Sequence, residues 1–369
     1  MTENEILEAL KSVKSPFSNN DIVNSHLIKE IKINGNAVFI TLSISAASNE
    51  NKQKLNIDCE NAIQQNVNKD AQVNVTFKPT MAAGAAPVPK ASAKVLPNVK
   101  NIIAVVSGKG GVGKSTVASN LALALASSGA KVGLMDADIY GPSVPMMFGL
   151  RGERPMMRED ENGKGQIIPI EKYDLKILSI GFLVDEKQAV VWRGPMASSA
   201  IKQFITDVDW GELDILVIDM PPGTGDIHLT LLQTVPITGV IIVTTPQDVA
   251  LADAKKGIAM FGQAQVNVPI LGIVENMAYF TPAELPENKY YIFGKDGGKN
   301  LASEYDVNFL GQIPLVQSIR EGGDKGVPIV ASDDNVTKKA FMDLAGATIH
   351  FLHKRNDEHA PTSPVQIVE

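Results

Sequence analysis

The chain has 369 residues, 44% hydrophobic and 20% charged, with a formal net charge of −7 and one cysteine, Cys59. That length holds one large domain and one small one, each with a real core, and the acidic balance disfavours a non-specific nucleic-acid binder. A single cysteine excludes an internal disulfide and an all-cysteine zinc site within one chain, and no apolar run approaches the length of a membrane span.

In chain order, the start, MTENEILEAL, is acidic and lacks the basic-then-apolar layout of a signal peptide, so a cytoplasmic protein is expected. Residues 3–13, ENEILEALKSV, read as a helix with Ile6, Leu7 and Leu10 on one side. LIKEIKI and AVFITLSI, joined through INGN, read as a hairpin in which Val38, Ile40, Leu42 and Ile44 alternate inward. A second helix around 51–67 and the strand AQVNVTF complete a small α+β unit, α-β-β-α-β, over residues 1–78. In that helix Leu55, Cys59, Ala62, Ile63 and Val67 fall on one apolar face, which suits a small buried thiol. Residues 79–97, PTMAAGAAPVPKASAKVLP, are almost all Ala, Pro, Gly, Lys and Ser and read as an extended tether.

Over residues 98–355 apolar runs alternate with helical segments. The runs are 102–106, 131–136, 215–219, 239–245, 269–276 and 307–313. Near-continuous Val, Ile and Leu mean strands buried on both faces, hence an α/β fold with a mostly parallel sheet covered by helices on both sides. Such sheets bind ligands at the carboxyl ends of their strands. Residues 356–369 read as a polar tail broken by prolines, with no amphipathic membrane helix.

The first of these runs enters SGKGGVGKST, residues 107–116, and STVASNLALALASSG leaves it as a helix closed by Gly129. Gly108, Lys109, Gly110, Gly111, Val112, Gly113, Lys114 and Ser115 satisfy G-x-x-x-x-G-K-[ST], the phosphate-binding loop, with Thr116 next in the helix. Glycines let backbone N–H groups turn around phosphate oxygens, and the new helix's N-terminus favours negative charge. Lys114 is expected to reach the β- and γ-phosphates and the Ser115 hydroxyl to ligate Mg²⁺. Asp219 ends the run ILVID before Pro221 and Pro222, the place for a carboxylate that holds the magnesium's water shell. Asp136 and Asp138, after another parallel strand, are expected to face the same crevice, where a carboxylate can orient the attacking water; each equally suits capping of the next segment. Lys109 is a second lysine in the loop. By physics alone it serves its own subunit's nucleotide, or a neighbour's, or faces water.

The loop resembles the deviant Walker A loop, K-G-G-x-G-K-[ST], of the MinD, ParA and nitrogenase iron protein superfamily. The resemblance implies a homodimer in which Lys109 crosses to the opposite subunit's phosphates. DADIYGPSVP (136–145), WRGPM (192–196), DMPPGTGDIHLT (219–230), TTPQDVALADAKKG (244–257) and GIVENMAYF (272–280) further resemble the Mrp/ApbC branch, the iron–sulfur cluster carrier ATPases. That match covers residues 99–350, and the N-terminal piece is similar to the small MIP18-like domain that often precedes such proteins. By this resemblance Asp138 orients the water, Asn276 reads adenine, and the loop from Pro314 packs near the base. No N-K-x-D stretch, the guanine-reading pattern, occurs in the chain, so ATP is the expected nucleotide.

The chain also departs from that branch. Its relatives often carry C-x-x-C shortly after ENM-x-x-F, where this chain reads ENMAYFTPAELPENKYYIFG without a cysteine. Iron–sulfur ligation uses thiolates, so no cluster ligands are identifiable here, and Cys59 reads as a core residue rather than a substitute. The small domain has Ser15-Pro16-Phe17 and Ala46-Ala47-Ser48 where relatives often have Asp-Pro-Glu and a cysteine, so its expected role is docking a partner. His228 reads as a structural donor, Asp226 as a γ-phosphate sensor or a helix cap, Asp248 as an N-cap, and Trp192 and Trp210 as ordinary aromatics.

The resulting expectation is a slow ATP hydrolase, a dimeric switch acting in iron–sulfur cluster assembly or transfer with assembly or recipient proteins as partners, and no membrane or nucleic acid. The alternatives are an ATP-binding adaptor without cluster chemistry and, less favoured by the acidic charge and the tail, a MinD- or ParA-like positioning ATPase.

Overall fold

The computed structural model describes residues 1–14, 21–25, 27–43, 49–78, 95–159, 163–183, 194–263, 265–282, 284–285 and 287–365. Ser15 to Phe17, Ile44, Ala46 to Ser48, most of the tether and Trp192 lie outside them. The chain divides into two compact units, Met1–Lys90 and Ala91–Glu369.

In the first unit, α1 (Glu3–Leu10) starts at Thr2. The Thr2 hydroxyl accepts from the Glu5 N–H while the Glu5 carboxylate accepts from the Thr2 N–H (2.8 Å), a reciprocal cap. β1 (Ile28–Asn34) and β2 (Ala37–Ser43) pair antiparallel about a two-residue turn whose first residue, Gly35, sits at φ +59, where a side chain would be strained. α2 (Asn49–Asn66) then crosses over to β3 (Gln72–Lys78), parallel to β2 on its other side. Val38, Ile40 and Leu42 alternate into the core, against Ile6 and Leu10 of α1 and Leu55, Ala62 and Ile63 of α2. Cys59 sits fully buried among them, and burial pushes its thiol up to about 12.

The second unit is an eight-stranded sheet among the described residues, in the order β13-β12-β11-β4-β10-β5-β9-β8. Its strands are β4 (Val99–Val106), β5 (Val132–Asp136), β8 (Ile170–Lys172), β9 (Leu175–Ser179), β10 (Leu213–Asp219), β11 (Gly239–Thr244), β12 (Ile270–Glu275) and β13 (Phe309–Gln312). All pairs are parallel except the edge pair of β8 with β9. β8, β9 and a separate ribbon of β6 (Met156–Glu159) and β7 (Gly165–Ile168) were not expected from the sequence. Each is only three to five residues long, too short for its apolar pattern to stand out from a loop.

Helices connect the parallel strands. α3 (Lys114–Ser127), α4 (Val144–Met147), α9 (Gln317–Lys325) and α10 (Asn335–Glu358) cover one face. α5 (Gly194–Thr206), α6 (Asp226–Thr234), α7 (Asp248–Phe261) and α8 (Gly297–Glu304) cover the other. With both faces covered, β5 and β11 are buried throughout, which explains their unbroken apolar runs. The expected polar tail begins inside α10, and the segment after the helix lies along the body: the Val365 N–H donates to the Leu232 carbonyl (2.8 Å) and the Thr362 hydroxyl to that of Pro236 (3.1 Å).

A thiol buried in this way stays protonated, so native protein at pH 8 should not react with a disulfide reagent, while urea-unfolded protein should release one equivalent per chain. Because the folded value is raised, the thiol's contribution to stability holds below pH 9 and is lost above it. Cys59→Ser, which buries a hydroxyl in place of the thiol, should lower the small unit's unfolding free energy by about 1–2 kcal/mol.

Candidate active site

The site forms where β4, β10 and β5 end side by side; Asp219 pairs in register with Val105 of β4 and with Asp136 of β5. β4 runs into the turn Ser107 to Gly113, and α3 leaves it with Gly113 as its cap, a residue with no side chain to satisfy the helix's first N–H groups. Those donors and the helix dipole make a site for an anion. Gly113 sits at φ +81, and a Cβ there would stand 2.2 Å from Nδ2 of Asn276. A Cβ on Gly108 would stand 2.2 Å from the backbone carbonyl carbon of Asp253 in α7, so this turn needs glycine at both places for lack of room.

The turn is tied from within and from outside. The Ser107 hydroxyl donates to the Lys109 carbonyl (2.9 Å), and Nδ2 of Asn276, at the end of β12, donates to the Val112 carbonyl (2.8 Å). After β10, the Gly223 N–H donates to the Ser107 carbonyl (2.9 Å).

Lys114 is buried at the centre. Its ammonium lies 2.5 Å from Oδ1 of Asp219, 3.3 Å from the Ser115 hydroxyl and 3.8 Å from Oδ2 of Asp138. Asp219 is fully buried; burial pushes its carboxyl up, and the Lys114 ammonium and Ser115 hydroxyl oppose that shift. Its Oδ2 meets no hydrogen-bond partner. A buried carboxylate oxygen without a donor, beside a serine hydroxyl, fits a hard cation that completes its shell with phosphate oxygens and water, as Mg²⁺ does. A cage of three or more His, Cys, Asp or Glu suited to a metal ion does not occur among the described residues.

The two aspartates after β5 part company. Asp138 lines a cavity with Lys114 and Ser115, and its Oδ1 accepts from the N–H groups of Tyr140 and Gly141 (3.3 Å each). Asp136 does not line that cavity. Its Oδ1 accepts from the Asp138 N–H (3.1 Å), and its Oδ2 from the Val144 N–H (3.2 Å) and the Ser179 hydroxyl (3.0 Å). Asp136 therefore holds the loop that presents Asp138 rather than facing the crevice as expected. Burial first, and then the Asp219 charge, push the Asp136 carboxyl up to about 7.

Two adjoining cavities share Gly113, Thr116 and Met147. One, of about 220 Å³, is lined by Lys114, Ser115 and Asp138; the other, of about 270 Å³, by Asn276, Pro314, Leu315 and Ile319. The charged groups Lys114 and Asp138 belong to the first, and Met277, Pro314, Leu315 and Ile319 form much of the wall of the second. Met277, at φ +54, is a non-glycine residue in left-handed backbone on the wall of the second. Ser143 was missed by sequence reasoning: its hydroxyl is buried without a partner on the wall of the first cavity. A lone serine in a loop carries no signal of its own; only the fold sets it opposite Lys114.

Lys109 is half-buried, and its ammonium has no ion pair or hydrogen bond among the described residues. Asp226 and Asp248 stand in the first turns of α6 and α7, behind the capping residues Gly225 and Gln247, so neither is the N-cap. Trp210 is buried in the core. His228 is buried in the first turn of α6, its backbone N–H donates to the Gly225 carbonyl (3.0 Å), and its Nε2 has no partner. Burial, and to a lesser degree the Lys114 charge, bring it down to about 4. In the stretch where relatives often carry C-x-x-C, Phe280 and Tyr290 exchange two backbone hydrogen bonds (2.8 Å each) and the Lys289 ammonium lies 3.9 Å from the Tyr279 ring.

Residues 98–349 match the family model described as the NUBPL iron-transfer P-loop NTPase, and residues 3–77 match that of an iron–sulfur cluster assembly protein. The chain is 45% identical over 354 residues to an iron–sulfur cluster carrier protein of Synechocystis, covering 94% of this chain and 96% of the relative. It is 46% identical to the iron–sulfur cluster transfer protein NUBPL of Dictyostelium discoideum, covering 76% of this chain and 85% of the relative. Among solved structures it is similar to a nucleotide-binding protein from Archaeoglobus fulgidus in complex with ADP, with a TM-score of 0.54 and 38% identity over 63% of this chain and 88% of that one.

Lys114→Met leaves buried carboxylates without their cation and should lower stability at pH 7 by about 3–5 kcal/mol, whereas Lys114→Met with Asp219→Asn should recover much of that loss in a double-mutant cycle. For His228 the folded value lies below the unfolded one, so its contribution is complete above pH 6.5 and is lost as pH falls towards 4. His228→Asn, which keeps a donor but does not titrate, should flatten the acid limb of the urea midpoint against pH by roughly 2–3 kcal/mol.

Proposed function

Because the chain belongs to the family of NUBPL-type iron-transfer P-loop NTPases, we propose that it is an ATP-driven dimeric switch in iron–sulfur cluster assembly and transfer, working in the cytoplasm. The observation that carries the ATP reading is the convergence of Lys114, Ser115, Asp138 and Asp219 beneath an uncapped helix N-terminus.

On this reading the triphosphate lies along Gly108 to Thr116 and draws the Lys114 ammonium from Asp219 to its β- and γ-oxygens. Ser115 and Asp219 would hold Mg²⁺, which neutralises charge on the same oxygens. Asn276 has its amide nitrogen engaged with Val112, which leaves Oδ1 to accept from the adenine amino group beside Pro314 and Leu315. Asp138 aims a water in line at the γ-phosphorus; the new P–O bond forms as the β–γ bridge breaks and ADP departs with the bridging oxygen. Lys109, extended from each loop, meets the partner subunit's phosphates and stabilises the charge that develops there. Loss of the γ-phosphate then releases the loops that hold Asp138 and Gly223, and the dimer opens.

The cluster is the cargo, and this chain's thiolates do not suffice to hold it. Its single cysteine is buried with its thiol pushed up to about 12, so the ligands come from the assembly or recipient protein that docks. The same observation favours the second reading, an ATP-binding adaptor that never carries the cluster itself.

Two measurements test this. Lys109→Ala and Asp138→Asn should each abolish ATP turnover, while mixing the two should restore about a quarter of wild-type activity, because half the dimers regain one complete site. A mixture no more active than its components would place Lys109 in its own subunit's site. Iron and acid-labile sulfide after anaerobic reconstitution should be absent from the chain alone and appear only with a thiol-bearing partner; a stoichiometric cluster on the chain alone, lost in Cys59→Ser, would overturn the partner-ligand reading.

A further inference from the structure

The second unit holds a cavity of about 510 Å³ at the opposite end of the sheet, lined by the start of β4, the approach to β11 and the end of α10. Its walls are largely apolar, with Val95, Leu96, Pro97, Pro236, Pro361 and Pro364, and one charged group is sunk into them, Arg355, only 7% exposed. Of the five N–H donors of that guanidinium, one reaches Oδ1 of Asn356 (3.0 Å) and one the Ala360 carbonyl (2.8 Å), and Nε has no partner at all. Among the described residues no carboxylate pairs with it. Asp214 is engaged by the Lys100 ammonium (2.7 Å) and the Lys131 N–H (2.9 Å), and Glu358 faces Lys354 (3.9 Å).

Two hydrogen bonds and the carbonyl end of a helix offset only part of the hydration that a buried guanidinium loses, and among the described residues no anion offsets the rest. Capping the end of α10 accounts for one N–H of five. We infer that this cavity is a binding site for a carboxylate carried on an apolar body, with Arg355 as its anchor. A planar carboxylate matches the guanidinium fork in geometry and in charge. A dianionic phosphate suits it less, because the carbonyls at the end of α10 already present a partial negative charge. The proline-rich walls receive the hydrocarbon part, and the exposed Ser363 hydroxyl and His359 ring flank the mouth. This site is separate from the phosphate loop and does not rest on the ATP reading.

The test is thermal unfolding of the full chain in sodium acetate, butyrate and hexanoate, against chloride and inorganic phosphate at equal ionic strength. Hexanoate should raise the midpoint by about 2–4 °C, with butyrate and acetate progressively weaker, since each methylene tightens binding about fourfold. Phosphate should do no more than chloride. Arg355→Met should abolish the rise without lowering the midpoint in chloride, and Ser363→Glu, a second variant that brings a carboxylate to the cavity from its own chain, should blunt it. The inference is overturned if no carboxylate exceeds chloride, if phosphate matches hexanoate, or if the rise persists in either variant.

Discussion

A single buried ammonium organises the larger unit. Parallel pairing brings the ends of β4, β10 and β5 into register, and two of those ends carry aspartates buried from water. Asp136 spends its oxygens on the loop that follows it, which leaves Asp219 and Asp138 to Lys114. One cation cannot satisfy both, and an oxygen of Asp219 is left without a donor. The site is thus built with too little positive charge for its carboxylates and too many free N–H groups for its helix. On the proposed reading a magnesium nucleotide would correct both imbalances together, the cation answering the first and the phosphates the second.

The same tightness makes the phosphate loop a poor place for independent motion. β12 holds it through Asn276, the segment after β10 through Gly223, and α7 by a backbone approach that leaves no space for a Cβ at Gly108. A change in what the loop holds is therefore felt at three elements at once. His228 is buried just beyond the loop that carries Gly223, and burial keeps it neutral near pH 7.

The chain belongs to the family of NUBPL-type iron-transfer P-loop NTPases and has a single cysteine, buried in the smaller unit. The stretch after Asn276 is closed by the Phe280–Tyr290 pair and anchored where buried Glu275 accepts from the Gly298 N–H at the start of α8.

How much of this could be read from residues alone varied with the length of the signal. The phosphate loop is contiguous, so its spacing announced it, and the long apolar runs announced six of the strands because both faces of a parallel sheet are buried. The α-β-β-α-β order of the small unit and the core position of Cys59 followed from period and turn residues in the same way. The short strands β6 to β9 carried too few residues to show a period. Asp136 and Asp138, two residues apart in one stretch, looked interchangeable; only the register with β9, which brings the Ser179 hydroxyl to Asp136, decided which of them lines the cavity beside Lys114. Ser143 and Arg355 gave no signal at all. Local sequence determines what a segment prefers to be, but whether a polar atom finds a partner depends on groups brought from distant parts of the chain, and that is settled only when the sheet closes over them.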